Sequence, residues 1–162
     1  MPDILWTSEE LLSKAETLYE FVDLFTLYKV TERDYGNNTT LSMVEVHIIV
    51  AIDQNPGITL TELARIARRS KSFISQVIKK AEMANYITRT QQEDDNKKKR
   101  LLLTPAGKKL AAEHRAFDER ALTKTYNYLL RDCTPEEIES FYKVMRTYNN
   151  IMTALAQKHG RL

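Results

Sequence analysis

A length of 162 residues, of which 43% are hydrophobic and 28% charged, suits one globular domain, alone or with added oligomerisation helices. No apolar run approaches the roughly 20 residues that cross a bilayer, and the first residues do not have the pattern of a secretory signal, so we expect a cytoplasmic protein with no membrane partner. The single cysteine, Cys133, excludes an internal disulfide and fits a reducing compartment.

The net charge of +2 hides an uneven distribution along the chain. Residues 57–110 contain 13 Lys or Arg against 5 Asp or Glu, so this segment carries +8 and the remainder −6. Most of these cations fall on one predicted helix face and one loop. That arrangement is typical of a protein that neutralises phosphates.

The N-terminal region is predicted to be a helix followed by a polar loop. A cap signal at 7–10 precedes an apolar seam, which predicts packing against a partner helix and comprises Leu11, Ala15, Leu18, Val22 and Phe25. Residues 31–40 contain a Gly-Asn-Asn turn signal and read as a loop. The next helix starts at a Ser42 cap, and its core candidates are Val46, Ile49, Val50 and Ala51.

Two short helices are predicted next, joined by a turn. Thr59 and Glu62 form a capping box, and the packing residues of the first helix are Leu63, Ala64, Ile66 and Ala67. Ser70 caps the second helix, whose helical spacing predicts one apolar face at Ile74, Val77, Ile78 and Ala81. The opposite face is polar, cationic and free of acidic residues, and it comprises Lys71, Ser72, Ser75, Gln76, Lys79 and Lys80.

A hairpin and a helix restart complete this segment. Asn85 is predicted to end the second helix in the left-handed conformation. Strands are predicted at 87–92 and 100–103, with the charged residues 93–99 as a solvated loop between them. Thr104 and Pro105 then begin a new helix. This order of elements describes a winged helix-turn-helix.

The C-terminal part is predicted to be two long helices, from Pro105 to about Arg131 and from Thr134 onward. The last helix carries an apolar stripe of Ile138, Phe141, Tyr142, Met145, Tyr148, Met152 and Leu155. We therefore expect a mainly α fold with a small β-hairpin wing, in which a module at 41–108 lies between dimerisation helices at 1–40 and 109–162. Apolar surface at both ends predicts a two-fold homodimer; a self-contained helical bundle is the alternative.

Several motifs in the middle of the chain resemble the multiple-antibiotic-resistance regulator (MarR) family. They are Thr-Glu-Leu-Ala at 61–64, the start of the second helix at 70–76, and the run from Asp95 to Gly107. Lys97 stands where the family has Arg, Asn85 where it has Gly, and Arg68 and Arg69 replace a Gly-apolar pair. The resemblance implies a dimeric DNA-binding transcriptional regulator.

For DNA, Lys71, Ser72 and Gln76 are predicted to reach base edges in the major groove. We expect phosphate contacts from Arg68, Arg69, Lys79 and Lys80, and wing contacts from Lys97, Lys98, Lys99 and Arg100. Ser70 completes this set at the helix cap. The resemblance supports Ser72, Ser75, Gln76 and Lys79, and it implies that Asp95 positions the Lys97 cation. The expected partner is a pseudo-palindromic duplex.

The resemblance also implies a small lipophilic or aromatic effector, bound in a crevice beside the DNA-binding module. Candidate lining residues are Tyr19, Phe25, Tyr28, Met43, His47, His114 and Phe117, although such residues are more often plain core. A zinc-responsive regulator is an alternative, with Glu45, His47, Glu113 and His114 as candidate ligands and Asp118 beside the last two on the same helix. The sequence does not identify the operator or the effector, and we expect no cofactor.

The sequence supports an enzyme or a protein-interaction module less well than a DNA-binding regulator. The chain has neither a Gly-rich phosphate loop nor a zinc-protease or triad signature, so we expect no enzyme. A winged-helix protein-interaction module without DNA binding remains the competitor from another class. The composite hypothesis is a homodimeric repressor that a small molecule releases from DNA.

Overall fold

The computed structural model describes residues 5–36, 38–92 and 95–158; the side chains at 91, 92 and 95–98 lie outside this description. Over these residues the element order is α1 Ser8–Val30, β1 Glu32–Asp34, β2 Thr40–Ser42, α2 Met43–Gln54, β3 Ile58–Thr59, α3 Leu60–Ile66, α4 Lys71–Met83, β4 Ile87–Gln92, β5 Asp95–Leu103, α5 Pro105–Leu129 and α6 Pro135–Lys158. The fold is mainly α with two small antiparallel sheets, of which the wing hairpin was predicted. Among the described helices, none has both the length and the apolar character that a membrane span requires.

The contacts divide the chain into two compact units, one ending at Ile48 and the other beginning at Ile49. The division falls within α2. In the first unit, the predicted cap of α1 is a capping box: the Glu10 amide donates to Thr7 Oγ1 at 3.3 Å, and the Thr7 amide donates to Glu10 Oε2 at 2.7 Å. No residue of α1 is buried in the described chain, so its predicted seam is largely open.

The segment predicted to be a loop at 31–40 contains a small hairpin instead. Strands β1 and β2 pair antiparallel, with Arg33 opposite Leu41. The turn is tightened where the Gly36 amide donates to Asp34 Oδ1 at 2.7 Å, and Gly36 takes a positive φ of 82°. Strands of three residues are too short to show an alternating pattern, which explains the wrong prediction.

Helix α2 begins as predicted, because the Glu45 amide donates to Ser42 Oγ at 3.3 Å and Glu45 Oε2 accepts from the Ser42 amide. Val46 and Ile49 are buried. The other two core candidates are only half-buried, whereas Ile48 and Ile52 are buried. The residues on this short helix are apolar almost throughout, so periodicity alone does not identify the buried face.

The second unit builds α3 and α4 against a three-stranded sheet of order β3-β5-β4. Ile58 of β3 lies opposite Leu101, and Ile87 of β4 lies opposite Leu103. Strand β3, of two residues, was not predicted. Strand β5 begins at Asp95 rather than Arg100, because backbone pairing continues through residues whose charge made them read as a loop.

Helix α3 packs through Leu63 and Ala64, which are both buried. Ile66, predicted to pack beside them, is exposed. A helix of seven residues has one inward stripe, and Ile66 lies off it. The apolar face of α4 is buried along its whole predicted length: Ile74, Val77, Ile78 and Ala81.

The two long C-terminal helices are present, with α5 ending at Leu129, two residues before the predicted end. Thr134 and Glu137 form a capping box at the start of α6, since each accepts the other's backbone amide. Within the described chain Ile138 is the buried member of the predicted α6 stripe. The remaining members are exposed or half-buried.

Candidate nucleic-acid interface

The polar face of α4 is the surface that the fold presents most clearly for binding. Its opposite face is locked into the core, which fixes the helix about its own axis. The Phe73 amide donates to Ser70 Oγ at 3.1 Å, so the cap is satisfied as predicted. The side chains left facing outward are Lys71, Ser72, Ser75, Gln76 and Lys79, and all five are exposed.

The turn before α4 is closed by a Schellman motif that ends α3. The Arg69 amide donates to the Ala64 carbonyl at 3.0 Å, and the Arg68 amide donates to the Arg65 carbonyl at 3.2 Å. This pattern requires a left-handed residue, and Arg68 occupies that position with φ 52°. A side chain with a Cβ is strained there, so the turn carries a cation at the cost of backbone energy.

Helix α4 ends on the same motif. Asn85 has φ 57°, its amide donates to the Glu82 carbonyl, and the Tyr86 amide donates to the Ala81 carbonyl, both at 2.9 Å. The left-handed conformation predicted for Asn85 is confirmed. Two successive helices therefore stop at defined residues, which sets the angle at which α4 is presented.

The start of α5 is fastened to this second turn. Thr104 Oγ1 donates to the Asn85 carbonyl at 2.6 Å and accepts from the Gly107 amide at 3.1 Å. A Cβ at Gly107 would overlap the Tyr86 carbonyl oxygen. The Thr-x-x-Gly pattern therefore joins α4, the wing and α5, and its two residues serve the architecture of the interface.

A bidentate ion pair braces α4 against β4. Arg89 Nε and Nη2 donate to the two carboxylate oxygens of Glu82, at 2.6 and 2.9 Å. Sequence reasoning missed this pair, because its members are seven apart across a helix end and share no periodicity. The pair also neutralises the acidic residue in α4, so the charge of the helix is carried by its lysines.

The residues predicted to contact phosphates lie in different environments. Arg68 and Arg69 are exposed in the turn, and the Arg69 guanidinium lies 5.7 Å from the Phe73 ring centroid, which orients it. Lys80 is half-buried, and Lys99 is exposed on β5. The Arg100 guanidinium donates to the Gly57 carbonyl at 3.0 Å and thereby ties β5 to β3.

The wing-tip candidates Asp95, Lys97 and Lys98 belong to β5, and their side chains lie outside the described ones. Glu62 is an acidic residue whose carboxylate accepts hydrogen bonds from the hydroxyl and the amide of Thr59. These hydrogen bonds lower the pKa of Glu62 below its usual value. Glu62 thus serves the capping box of α3 as a carboxylate.

Together, the α4 face, the turn before it and the wing can present cations and hydrogen-bonding groups to a phosphate backbone.

The effector candidates fall in both units of the chain. In the first unit, the Phe25 and Tyr28 rings stack at 6.3 Å, and Tyr19, Met43 and His47 belong to the same unit. In the second, the His114 and Phe117 rings stack at 6.3 Å. The predicted crevice is therefore not tested and stays a prediction.

The metal candidates engage in local contacts. Glu45 accepts from Ser42 at the start of α2, and Glu113 Oε1 lies 3.8 Å from Lys109 Nζ. Buried His114 has its Nε2 3.4 Å from Asp118 Oδ2, one helical turn away. Asp118 was named with Glu113 and His114 in the sequence, and its spacing from His114 places both on one helix face.

Comparison with known proteins agrees with this architecture. The MarR family model matches residues 41–99. YhjH, an uncharacterised HTH-type transcriptional regulator of Bacillus subtilis (strain 168), is 29% identical over 131 residues, which cover 80% of this chain and 74% of that protein.

Solved structures share the fold over nearly the whole chain. Streptococcus pneumoniae FabT, solved in complex with DNA, has a TM-score of 0.68 at 17% identity, covering 92% of this chain and 99% of its own. Lactococcus lactis ZitR, a zinc-responsive MarR family member, has a TM-score of 0.66 at 20% identity, covering 88% and 99%. The motifs, the family model over residues 41–99 and the shared fold therefore all show a similarity of this chain to the MarR family.

Proposed function

We propose that the protein is a homodimeric, sequence-specific repressor that binds double-stranded DNA in the cytoplasm and is released by a small-molecule effector. The observation that carries the proposal is the outward face of α4, where five polar or cationic side chains stand exposed on a helix anchored by its buried apolar face. A helix presented in this way fits the major groove. The fold shared with FabT, which was solved with DNA, supports the same reading.

The exposed residues divide between two tasks. Ser72 and Gln76 lie four apart on one face of α4, and a Gln carboxamide can pair with both hydrogen-bonding groups of adenine. Arg68, Arg69 and Lys79 suit phosphates, because such contacts need charge rather than a particular geometry. The wing cations, including Lys97 and Lys98, would add contacts to the backbone or the minor groove.

Dimerisation is supported by the apolar surface that a single chain leaves uncovered. On α1, Leu11, Val22 and Phe25 are exposed, as are Phe141 and Tyr148 on α6. Contiguous apolar faces of this kind mark protein interfaces, and two-fold dimers are the commonest assembly. Two α4 helices related by a two-fold axis would meet successive major grooves about 34–36 Å apart. In this proposal residues 1–40 and 109–162 form the dimerisation part.

The direct test is Gln76→Ala beside Gln54→Ala, a matched loss of an exposed Gln carboxamide, with Gln54 near the end of α2. Binding to the duplex upstream of the protein's own coding region is compared with binding to a scrambled duplex of equal length. We expect Gln76→Ala to reduce the preference for the native duplex by about tenfold, and Gln54→Ala to leave it unchanged. An unchanged preference in Gln76→Ala would remove Gln76 from base recognition, and a native protein that binds both duplexes equally and weakly would favour the protein-interaction module.

Zinc response is a second candidate, favoured by the His114 and Asp118 pair on α5. One imidazole nitrogen and one carboxylate oxygen supply two of the three or four ligands that zinc requires. We expect zinc to change the DNA affinity of the native protein and of Glu113→Gln, but not of His114→Ala or Asp118→Asn. Indifference of the native protein to both zinc and a chelator would remove this candidate.

A further inference from the structure

A concave, cationic cleft lies between the helix-turn-helix turn and the end of α6. It has a volume of about 720 Å³, in the range of small-molecule sites. One wall carries four cations and the other carries two polar side chains: Arg65, Arg68, Arg69, Lys71, Thr153 and Gln157. All six belong to the second unit of the chain. The shape and the charge together indicate a site for a small anionic molecule.

The charge of the cleft is not balanced by its own lining. None of the lining residues given by the described chain is acidic, and none of the four cations forms an ion pair with a described residue. Like charges in one concavity repel, and a multivalent anion relieves that repulsion. Hydrogen bonds from a guanidinium to phosphate or carboxylate oxygens are stronger than those between neutral groups.

The cleft shares only Lys71 with the α4 residues predicted to contact bases. Ser72, Ser75 and Gln76 do not line it, whereas Arg65, Thr153 and Gln157 do and stand outside the predicted DNA-binding set. The Gln157 side chain is exposed and offers an amide donor from α6 to a molecule seated against the cations. A duplex backbone would meet the protruding turn rather than fill this concavity.

We infer that the cleft binds a small polyanion with two or more phosphate or carboxylate groups, and that this polyanion lowers DNA affinity. Three of its cations, Arg68, Arg69 and Lys71, are the ones proposed to contact DNA, so ligand and DNA compete for the same charges. The regulatory half of the inference rests on the proposed function, since it identifies the class of effector. By linkage, DNA lowers the affinity for the polyanion by the same factor.

The test is calorimetric titration of the full-length protein at fixed ionic strength with citrate, with fructose 1,6-bisphosphate and with chloride as the reference. Citrate and the sugar bisphosphate distinguish carboxylate from phosphate as the recognised group. Arg65→Gln is compared with Arg120→Gln, which removes the same charge from an exposed position on α5 outside the cleft. Gln157→Leu tests the opposite wall.

We expect at least one polyanion to bind the native protein, with an affinity about tenfold lower in Arg65→Gln and within twofold of native in Arg120→Gln. Gln157→Leu should weaken binding without changing DNA affinity in the absence of polyanion. Absence of binding beyond the chloride reference, or equal losses in the two Arg variants, would overturn the inference while leaving the DNA-binding proposal intact. Polyanion binding by a protein that does not bind its upstream duplex would contradict the proposed function instead.

Discussion

Arg68 combines an exposed cationic side chain with a strained backbone. Its φ of 52° is in a region that costs a residue with a Cβ about 1–2 kcal/mol, and Gly avoids that cost. The family pattern has Gly in this turn, whereas this chain has a cation. The exchange makes sense if the guanidinium contacts DNA phosphates or the polyanion of the cleft.

We predict that Arg68→Gly raises stability and lowers DNA affinity. The relieved strain exceeds the entropy that Gly adds to the unfolded chain by roughly 0.5–1 kcal/mol, which corresponds to about 2 °C in Tm. Loss of one phosphate contact should weaken DNA binding several-fold. Arg68→Lys is the matched control, because it keeps both the charge and the strained backbone. A variant whose Tm and affinity fall together would contradict this account of the turn.

Residue-level prediction succeeded where local chemistry decides the outcome. The capping residues Thr7, Thr59 and Ser70 and the left-handed Asn85 were all found from short patterns, because each satisfies backbone groups within a few positions. The role of Gly107 was not found, because the carbonyl that excludes a Cβ belongs to Tyr86, far away in the sequence.

Helix α4 carries the proposed recognition surface, and three sets of contacts fix its position. Its apolar face is buried, both of its ends are capped, and Glu82 joins it to Arg89 of β4. The buried face was predictable from helical spacing alone. The brace to β4 was not, and neither was β3, whose two residues are recognisable only through their pairing with Leu101 and Arg100.

At the level of this helix, Lys79→Gln should weaken binding to the native and the scrambled duplex by similar factors. An exposed Lys on the polar face neutralises one phosphate, so the slope of log affinity against log salt should become shallower by about 0.9. Lys143→Gln, an exposed Lys on α6 with the same loss of charge, is the control. A selective loss on the native duplex would instead assign Lys79 to a base edge.

At the scale of the whole molecule, the apolar faces of α1 and α6 support the proposed dimer. Sequence patterns located both faces, since helical periodicity does not depend on what covers them. They could not locate the interface residue by residue, because that depends on how two copies fit together. Phe141 and Tyr148 are exposed in a single chain, as residues of the proposed interface would be.

We predict that Phe141→Glu converts a dimer into monomers, because a carboxylate buried in an apolar interface has no partner. Light scattering coupled to gel filtration should show the mass fall by half, and affinity for a two-half-site duplex should fall with it. Asn150→Glu adds the same charge at an exposed polar position of α6 and should leave the dimer intact. A native protein that is monomeric at micromolar concentration would favour the self-contained bundle.

The most direct measurement of the central claim is a salt titration of binding to the duplex upstream of the protein's own coding region, beside a scrambled duplex of equal length. We predict tighter binding to the native duplex at every salt concentration, with log affinity for both falling steeply as log salt rises. Equal, weak binding to the two duplexes would contradict sequence-specific recognition. The cationic face of α4 would then serve a partner other than an operator.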